Sequence, residues 1–442
     1  MKFEELPQIP ERWCEFLRGS LPFSPASKSI SALIASADRV RSRPVPRDAL
    51  CRHLADDRAL CFSRTLENIR TLQRPESGVV LVNYYPALFG GPAFQLLKCL
   101  TAIKLCEELA SHNFEAVPVC WICDENPGFF SSWSARILNT ESELCSLELE
   151  PQRISDSLPQ DKIEALLARI EAAGHGEYDP GTLEILRSAF GSEANLVRAS
   201  ARLVAALMKE WGIVVLNAHS LDFLEPGYIQ PIPQNAAASY ATQYSILPVV
   251  ATVIDPFEVD SFAAARPFIT EHVRVDPAAW PQASATIVDS RSRRILARYG
   301  LDVTHLYKGA DAIVGELLAS MPRGALEKLA GLKREVEAMI VTLRLPDRES
   351  ASFAKAAGSG KEKIAYQLDR LQQKFSAACR RKEETVCRRI RRVCDSLAPN
   401  GRSQELELTG IQMPLRYSSA VLHALFERLD IFSLEHQLIS MD

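Results

Sequence analysis

A chain of 442 residues with 47% hydrophobic and 24% charged side chains has the balance of a packed protein, and is long enough for a large core plus at least one further unit. Its formal net charge of −4 gives the chain as a whole no electrostatic reason to bind nucleic acid or an anionic membrane. No apolar run reaches the roughly 20 residues that span a bilayer, and the acidic opening MKFEELPQIPERW lacks the apolar stretch of a secretory signal, so a cytoplasmic location is expected.

Residues 1–75 read as a helical lead-in broken at Pro44 and Pro46, with helical spacing from Asp48 to Leu72. Gly78-Val79-Val80-Leu81-Val82-Asn83 is a continuous apolar run behind a glycine, which suits a strand buried on both faces. A turn-rich segment, Asn83 to Pro92, leads into a helix from about Ala93 to Ala110, and Val117 to Ile122 is the second strand. That unit has the length of a parallel crossover. Residues 140–210 are mostly helical by period, with loops around Gly174-His175-Gly176 and Asp179-Pro180-Gly181. Ile213 to Leu216, ending at Asn217, is the third strand; Pro248 to Ile254, ending at Asp255-Pro256, is the fourth, and between them lies the Pro- and Gly-rich stretch Pro226 to Pro233. Strands alternating with helices predict an α/β fold, a Rossmann-like parallel sheet core over 76–324 with inserted helical segments and with ligands at the carboxyl ends of the strands. Those ends carry Asn83, Asp124 with Glu125, Asn217 and Asp255.

Beyond residue 325 the character changes. Ala325 to Leu345 is a charged amphipathic helix, 346–360 a polar linker with Pro346, Gly358 and Gly360, and Lys361 to Leu397 a long helix stopped by Pro399-Asn400-Gly401. In the long helix Ile364, Leu368, Leu371, Phe375, Ala378, Val386, Ile390, Val393 and Leu397 recur in threes and fours, the seam of a coiled coil. Residues 325–400 therefore read as an antiparallel coiled-coil hairpin that needs a partner surface, and 401–442 as a segment packing back on the core.

Several residues invite a chemical reading. The 11 cysteines are scattered and often lie inside apolar runs, which argues for reduced, mostly buried thiols. Cys120-Trp121-Ile122-Cys123 has thioredoxin-like spacing but sits in a strand rather than opening a helix, so buried filler is the stronger reading. The loop Asn83 to Pro92 stands between a strand and a helix, a place that favours an anion, yet it is neither a dinucleotide fingerprint nor a Walker loop. Lys98, about two turns into that helix, is the nearest cation, with a surface lysine as its plain alternative. Asp124 and Glu125 follow a strand end, where a carboxylate can take an amine proton, although acidic loop residues are usually only solvated. His219 is the one histidine at the expected pocket edge, with a structural histidine as the default; no metal-ligand spacing stands out, and no metal is expected. Arg380-Arg381-Lys382 with Arg388-Arg389 and Arg391-Arg392 is interleaved with Glu383 and Glu384 and reads as the solvated flank of the coil rather than a phosphate patch.

Five segments, in order, resemble the bacillithiol-biosynthesis cysteine-adding (BshC) family. They are Gly90-Gly91-Pro92-Ala93-Phe94-Gln95-Leu96-Leu97-Lys98; Val117 to Ile122 with Glu125 and Phe129; Asn235, Gln243 and Leu247 to Ala251 with Pro256 and Glu258; Pro281, Ala283, Ser284 and Thr286; and Leu397 to Gly401 with Gln404-Glu405 and, near the end, Glu435-His436-Gln437. The resemblance implies a Rossmann-like core, a coiled coil that supports a homodimer, and a ligase that adds L-cysteine to glucosaminyl-malate by amide formation, with a nucleotide (ATP or ADP) activating the carboxyl. It assigns catalysis to Glu125, which would hold or deprotonate the amine, and Lys98, which would meet a carboxylate or phosphate. Asn83, Gly91, Gln243, Asp255, Glu258 and Ser284 would bind substrate.

The chain departs from the family's pattern at Asn83 to Pro86, at Asn126 to Gly128, at Phe257 where a glycine is expected, and at Ser239, Tyr244 and Gln282. Losing an arginine removes a bidentate carboxylate clamp, and a phenylalanine in place of glycine crowds a close backbone approach. The alternative reading is therefore a non-catalytic or repurposed homologue, acting as a small-molecule binding or scaffolding protein.

Overall fold

The computed structural model describes residues 1–23, 29–41, 43–123, 128–191, 194–217, 221, 236–319, 328, 331–336, 338–339 and 350–441. The chain divides into two units, Met1–Tyr307 with Asp395–Asp442, and Lys308–Cys394.

The first unit is built on five parallel strands: β1 (Gly78–Tyr84), β2 (Ala116–Ile122), β5 (Val214–Asn217), β6 (Val249–Ile254) and β7 (Ala279–Pro281), in the order β5-β2-β1-β6-β7. That order runs outward in both directions from β1, which is the doubly wound Rossmann arrangement with its switch point between β1 and β6. Every residue of β1 and β6 is buried, as expected of central strands covered on both faces. The lead-in supplies α1 (Glu11–Leu17), α2 (Ile30–Arg41), α3 (Arg47–Asp56) and α4 (Ser63–Gln73), and it belongs to this unit rather than standing apart from it. Helix α5 (Phe94–Ser111) connects β1 to β2 and is buried nearly all round, with Lys98 among its buried positions.

Over residues 140–210, between β2 and β5, the period predicts mainly helix. The structure has an antiparallel hairpin first, β3 (Ser134–Leu138) with β4 (Leu144–Glu148), then α6 (Gln160–Gly174), α7 (Pro180–Phe190) and α8 (Leu196–Leu207). The stretch Pro226 to Pro233 lies outside the described residues, as do Asn235 and His219. Helices α9 (Ala236–Ile246) and α10 (Val259–Phe268) flank β6. A two-stranded parallel ladder, β8 (Ala285–Asp289) with β9 (Gln437–Met441), ties the last segment of the chain to the core and was not legible as strand. After β8 come α11 (Ser290–Tyr299) and the short α12 (Val303–Leu306).

The second unit opens at Lys308 rather than at 325 and ends at Cys394 rather than at 400. It holds α13 (Ala310–Ala319) and most of α14 (Ser350–Leu397). The expected linker over 346–360 is mostly helix, since α14 starts at Ser350 and runs through Gly358 and Gly360. Each glycine weakens a helix interior by about 1 kcal/mol, a small sum against a helix of 48 residues. Much of Ala325 to Leu345 lies outside the described residues; 331–336 are helical, and Lys333 pairs with Asp369 of α14. Along the seam Val386, Ile390 and Val393 are buried while Ile364 and Leu371 are exposed. After α14 the chain returns to the first unit through α15 (Gln404–Glu407), α16 (Gln412–Tyr417) and α17 (Ala420–Arg428).

No disulfide joins the described cysteines, and Cys120 and Cys123 are both buried. Among the described residues no helix is long and apolar enough to cross a membrane.

Candidate functional site

The carboxyl ends of β1 and β6 meet at the switch point, where the topology leaves a crevice. The loop leaving β1 is pinned from beneath. Gln95 of α5 accepts from the Tyr85 amide at 2.7 Å and donates to the carbonyls of Tyr85 and Gly90, while the Tyr84 hydroxyl donates to Gly90 O at 2.7 Å. Gly91 has φ +62°, and a Cβ there would stand 2.7 Å from the Ala87 Cβ, so the turn into α5 needs glycine.

Under this loop lies a buried charge network. Lys98 Nζ donates to Asp255 Oδ2 at 2.7 Å and to Glu258 Oε2 at 2.9 Å, and all three side chains are at most 1% exposed. The Tyr85 hydroxyl donates to Glu258 Oε1 at 2.7 Å, and the Asp255 amide donates to Glu258 Oε2. One ammonium between two carboxylates leaves one negative charge in excess away from water. The network answers by holding a proton: burial first, then the neighbouring Asp255, pushes Glu258 up to about 7. Burial alone would pull the Lys98 ammonium down, but the two carboxylates more than offset this and hold it above the ordinary lysine value. Lys98 is thus not a surface lysine. It meets the carboxylates of Asp255 and Glu258 in its own chain.

Asn83 and Gln243 form a second buried pair beside the network, with Gln243 Nε2 donating to Asn83 Oδ1 at 2.7 Å and to Ser239 Oγ at 3.1 Å. Gln243 Oε1 is buried and without a hydrogen-bond partner among the described residues. Ser284 goes elsewhere. It sits on the approach to β8 in a fully buried cluster with His436, Glu405 and Thr286: His436 Nδ1 is 2.6 Å from Ser284 Oγ and Nε2 is 2.8 Å from Thr286 Oγ1, while Ser284 donates to Glu405. With the Ser284 hydrogen spent on Glu405, His436 donates to Ser284 from Nδ1, and in the neutral imidazole that burial favours, Nε2 accepts from Thr286. Burial drives it down to about 3 and raises Glu405 to about 7. The cluster joins β8, α15 and the start of β9, and it does not line the cleft. Glu125, with Asp124, lies outside the described residues.

The open part of the site is a cavity of about 420 Å³ lined by Gly91, Pro92 and Phe94 at the start of α5, by residues 128–131 after β2, by Phe257 after β6, by β3, and by Arg402, Leu406, Glu407 and Thr409 of the C-terminal segment. Its inner wall is aromatic: Phe257 stacks on Phe129 at 4.0 Å between ring centroids and 12° between planes, and Phe94 and Phe130 pack against the same ring. Phe129 also meets the Tyr85 ring edge-on, so this wall separates the cavity from the charge network. Arg136 Nη1 lies 2.9 Å from Glu407 Oε2 and Arg402 Nη1 donates to Glu407 Oε1 at 2.9 Å, with Asn400 completing the carboxylate's partners. Sequence reasoning did not single out Arg136, Arg402, Glu407 or Tyr85 for the site. Arg402 and Glu407 lie next to the Asn400-Gly401 and Gln404-Glu405 segments that carried the resemblance, and that adjacency was the available signal.

The strand order, the switch-point cleft and the long C-terminal helix define a Rossmann-like protein with a coiled-coil appendage. The model of the N-terminal Rossmann-like domain of bacillithiol biosynthesis BshC matches residues 23–230, and that of the C-terminal coiled-coil domain of the same family matches residues 285–441. The chain belongs to the BshC family. Similar proteins, each named "Putative cysteine ligase BshC", include one from Salinibacter ruber, 23% identical over 92% of this chain and 91% of the relative. Others are from Koribacter versatilis, 22% identical over 91% and 92%, and Solibacter usitatus, 21% identical over 79% and 83%.

Proposed function

We propose that this protein is a carbon–nitrogen ligase of bacillithiol biosynthesis that joins the carboxyl of L-cysteine to the amine of glucosaminyl-malate. The observation that carries the reading is that both domains of the family match in order, while the switch-point cleft retains a charged, polar interior built from Lys98, Asp255, Glu258, Asn83 and Gln243. Amide formation needs an activated carboxyl, and ATP or ADP bound at the cleft would supply that chemistry. The chain's own part is to bind and orient. Gly91 lets the loop approach closely, the aromatic wall keeps water from the network, and burial with the neighbouring Asp255 makes Glu258 a proton-holding group near neutral pH, while Lys98 holds its carboxyl in place. Glu125 is proposed to take the proton from the attacking amine.

The proposal extends to a homodimer formed through the coiled coil, supported by the exposure of Ile364, Tyr366 and Leu371 on α14. Light scattering of the full chain at twice the monomer mass supports it, and the monomer mass removes it. A second reading, a repurposed binding protein, has two observations in its favour: the Phe257–Phe129 stack occupies the wall of the cleft, and the Lys98 ammonium is already paired with Asp255 and Glu258.

The test is to incubate the purified protein with glucosaminyl-malate, L-cysteine and ATP and to label thiols. A new labelled thiol at the mass of the amide supports the ligase. No product, together with no binding of either substrate by calorimetry, overturns it.

A further inference from the structure

Among the described residues three charged side chains line the cavity, and they are arranged as a unit. Glu407 is 2% exposed and lies between Arg136 at 33% and Arg402 at 43%. One carboxylate cannot neutralise two guanidiniums, so these three groups together carry one positive charge in excess. The buried carboxylate also does the holding: Arg402 donates from Nη1 to Glu407 Oε1 and Arg136 Nη1 is ion-paired with Oε2, which positions both guanidiniums while leaving other N–H donors for the cavity. The three come from segments far apart in sequence. Arg136 is on β3, Arg402 and Glu407 are in the C-terminal segment, and the Thr409 amide donates to the Arg136 carbonyl at 2.9 Å to lock the two segments together.

We propose that Arg136 and Arg402, positioned by Glu407, form an oxyanion clamp that binds a carboxylate- or phosphate-bearing group in the cavity. Two forks set around one space suit an oxyanion with several acceptor oxygens, which each fork can take in a bidentate manner. The inference deepens the ligase reading and rests on it for the identity of the ligand: the dicarboxylate part of the amine-bearing substrate and the phosphates of the nucleotide share this chemistry. The clamp itself is a binding property and is tested without turnover.

The experiment is calorimetric titration of the full chain, in phosphate-free buffer, with L-malate in one arm and inorganic phosphate in the other. The parent is expected to bind one of the two, the one that does naming the source, and Arg136→Gln and Arg402→Gln each to weaken that binding by about 10- to 100-fold. Arg70→Gln, an exposed arginine on α4, serves as the charge control and is expected to bind as the parent does. If the glutamine variants do not fold, Arg402→Lys keeps a cation for Glu407, loses the fork, and is expected to bind several-fold more weakly. No binding of either anion by the parent, or unchanged affinity in the folded variants, overturns the clamp. Failure of the ligase reading shows separately, as absent turnover with anion binding intact; turnover with an unchanged KM in both glutamine variants removes the clamp and leaves the ligase.

Discussion

Lys98 and Glu258 meet at 2.9 Å in a place that neither shares with solvent, with Asp255 as the second carboxylate on the same ammonium. The pair joins α5 to the start of α10 across the switch point, so the charge network is also a brace for the cleft. Removing its cation leaves Asp255 and Glu258 buried without their ammonium partner. Lys98→Met is predicted to destabilise the fold by about 3–5 kcal/mol, read as a lowered midpoint in urea; adding Asp255→Asn is predicted to recover part of that loss.

Glu258 has its proton affinity raised in the fold, to about 7 from 4.5. The folded state therefore holds a proton that the unfolded state has released, so this group's contribution to stability is complete below about pH 4.5 and is lost as pH rises through about 7. Glu258→Gln cannot titrate. The stability of the variant relative to the parent is predicted to improve by about 1–3 kcal/mol between pH 4.5 and pH 7.5, measured by denaturation at both pH values. A flat difference contradicts a proton held on Glu258.

His436 shifts the opposite way, down to about 3 from 6.5. Its neutral form is the folded form, so the stability it supplies is present above about pH 6.5 and is lost as pH falls toward 3. Ser284→Ala removes the hydroxyl between His436 and Glu405. It is predicted to cost about 1–3 kcal/mol of stability while leaving KM for both proposed substrates unchanged, because the cluster does not face the cavity.

Phe257→Ala removes one face of the stack on Phe129. The predicted outcome is a loss of about 1–3 kcal/mol in thermal unfolding, with water and small ligands reaching the network more readily. Faster hydrogen exchange at the Tyr85 and Asp255 amides is the readout, and unchanged exchange contradicts the wall.

Glu125→Gln is predicted to lower turnover by about 10²- to 10⁴-fold if the residue takes the amine proton, measured in the thiol-labelling assay. Turnover equal to the parent's would remove that role alone.

The central strands were legible because β1, β2 and β6 are continuous apolar runs, and their carboxyl ends pointed to Asn83 and Asp255. The hairpin β3–β4 was missed because its five-residue strands sit before helices whose period dominates the window. Strands β7, β8 and β9 are three to five residues long, and β8 pairs only with a segment some 150 residues away, which no local pattern reports. Lys98 had a readable signal. Helix α5 is apolar on nearly every side, so a lysine within it had to be buried and therefore paired. The arginine clamp had only the adjacency of Arg402 and Glu407 to the Asn400-Gly401 and Gln404-Glu405 segments, and nothing pointed to Arg136, which meets Arg402 only through Glu407.

The central claim is amide formation by this chain, and the most direct measurement is a time course of product mass with glucosaminyl-malate, L-cysteine and ATP, beside reactions lacking each in turn. The account predicts a product equal in mass to the two substrates less one water, growing with time and absent when any component is left out. A folded protein that yields no such product at any concentration of the three contradicts it.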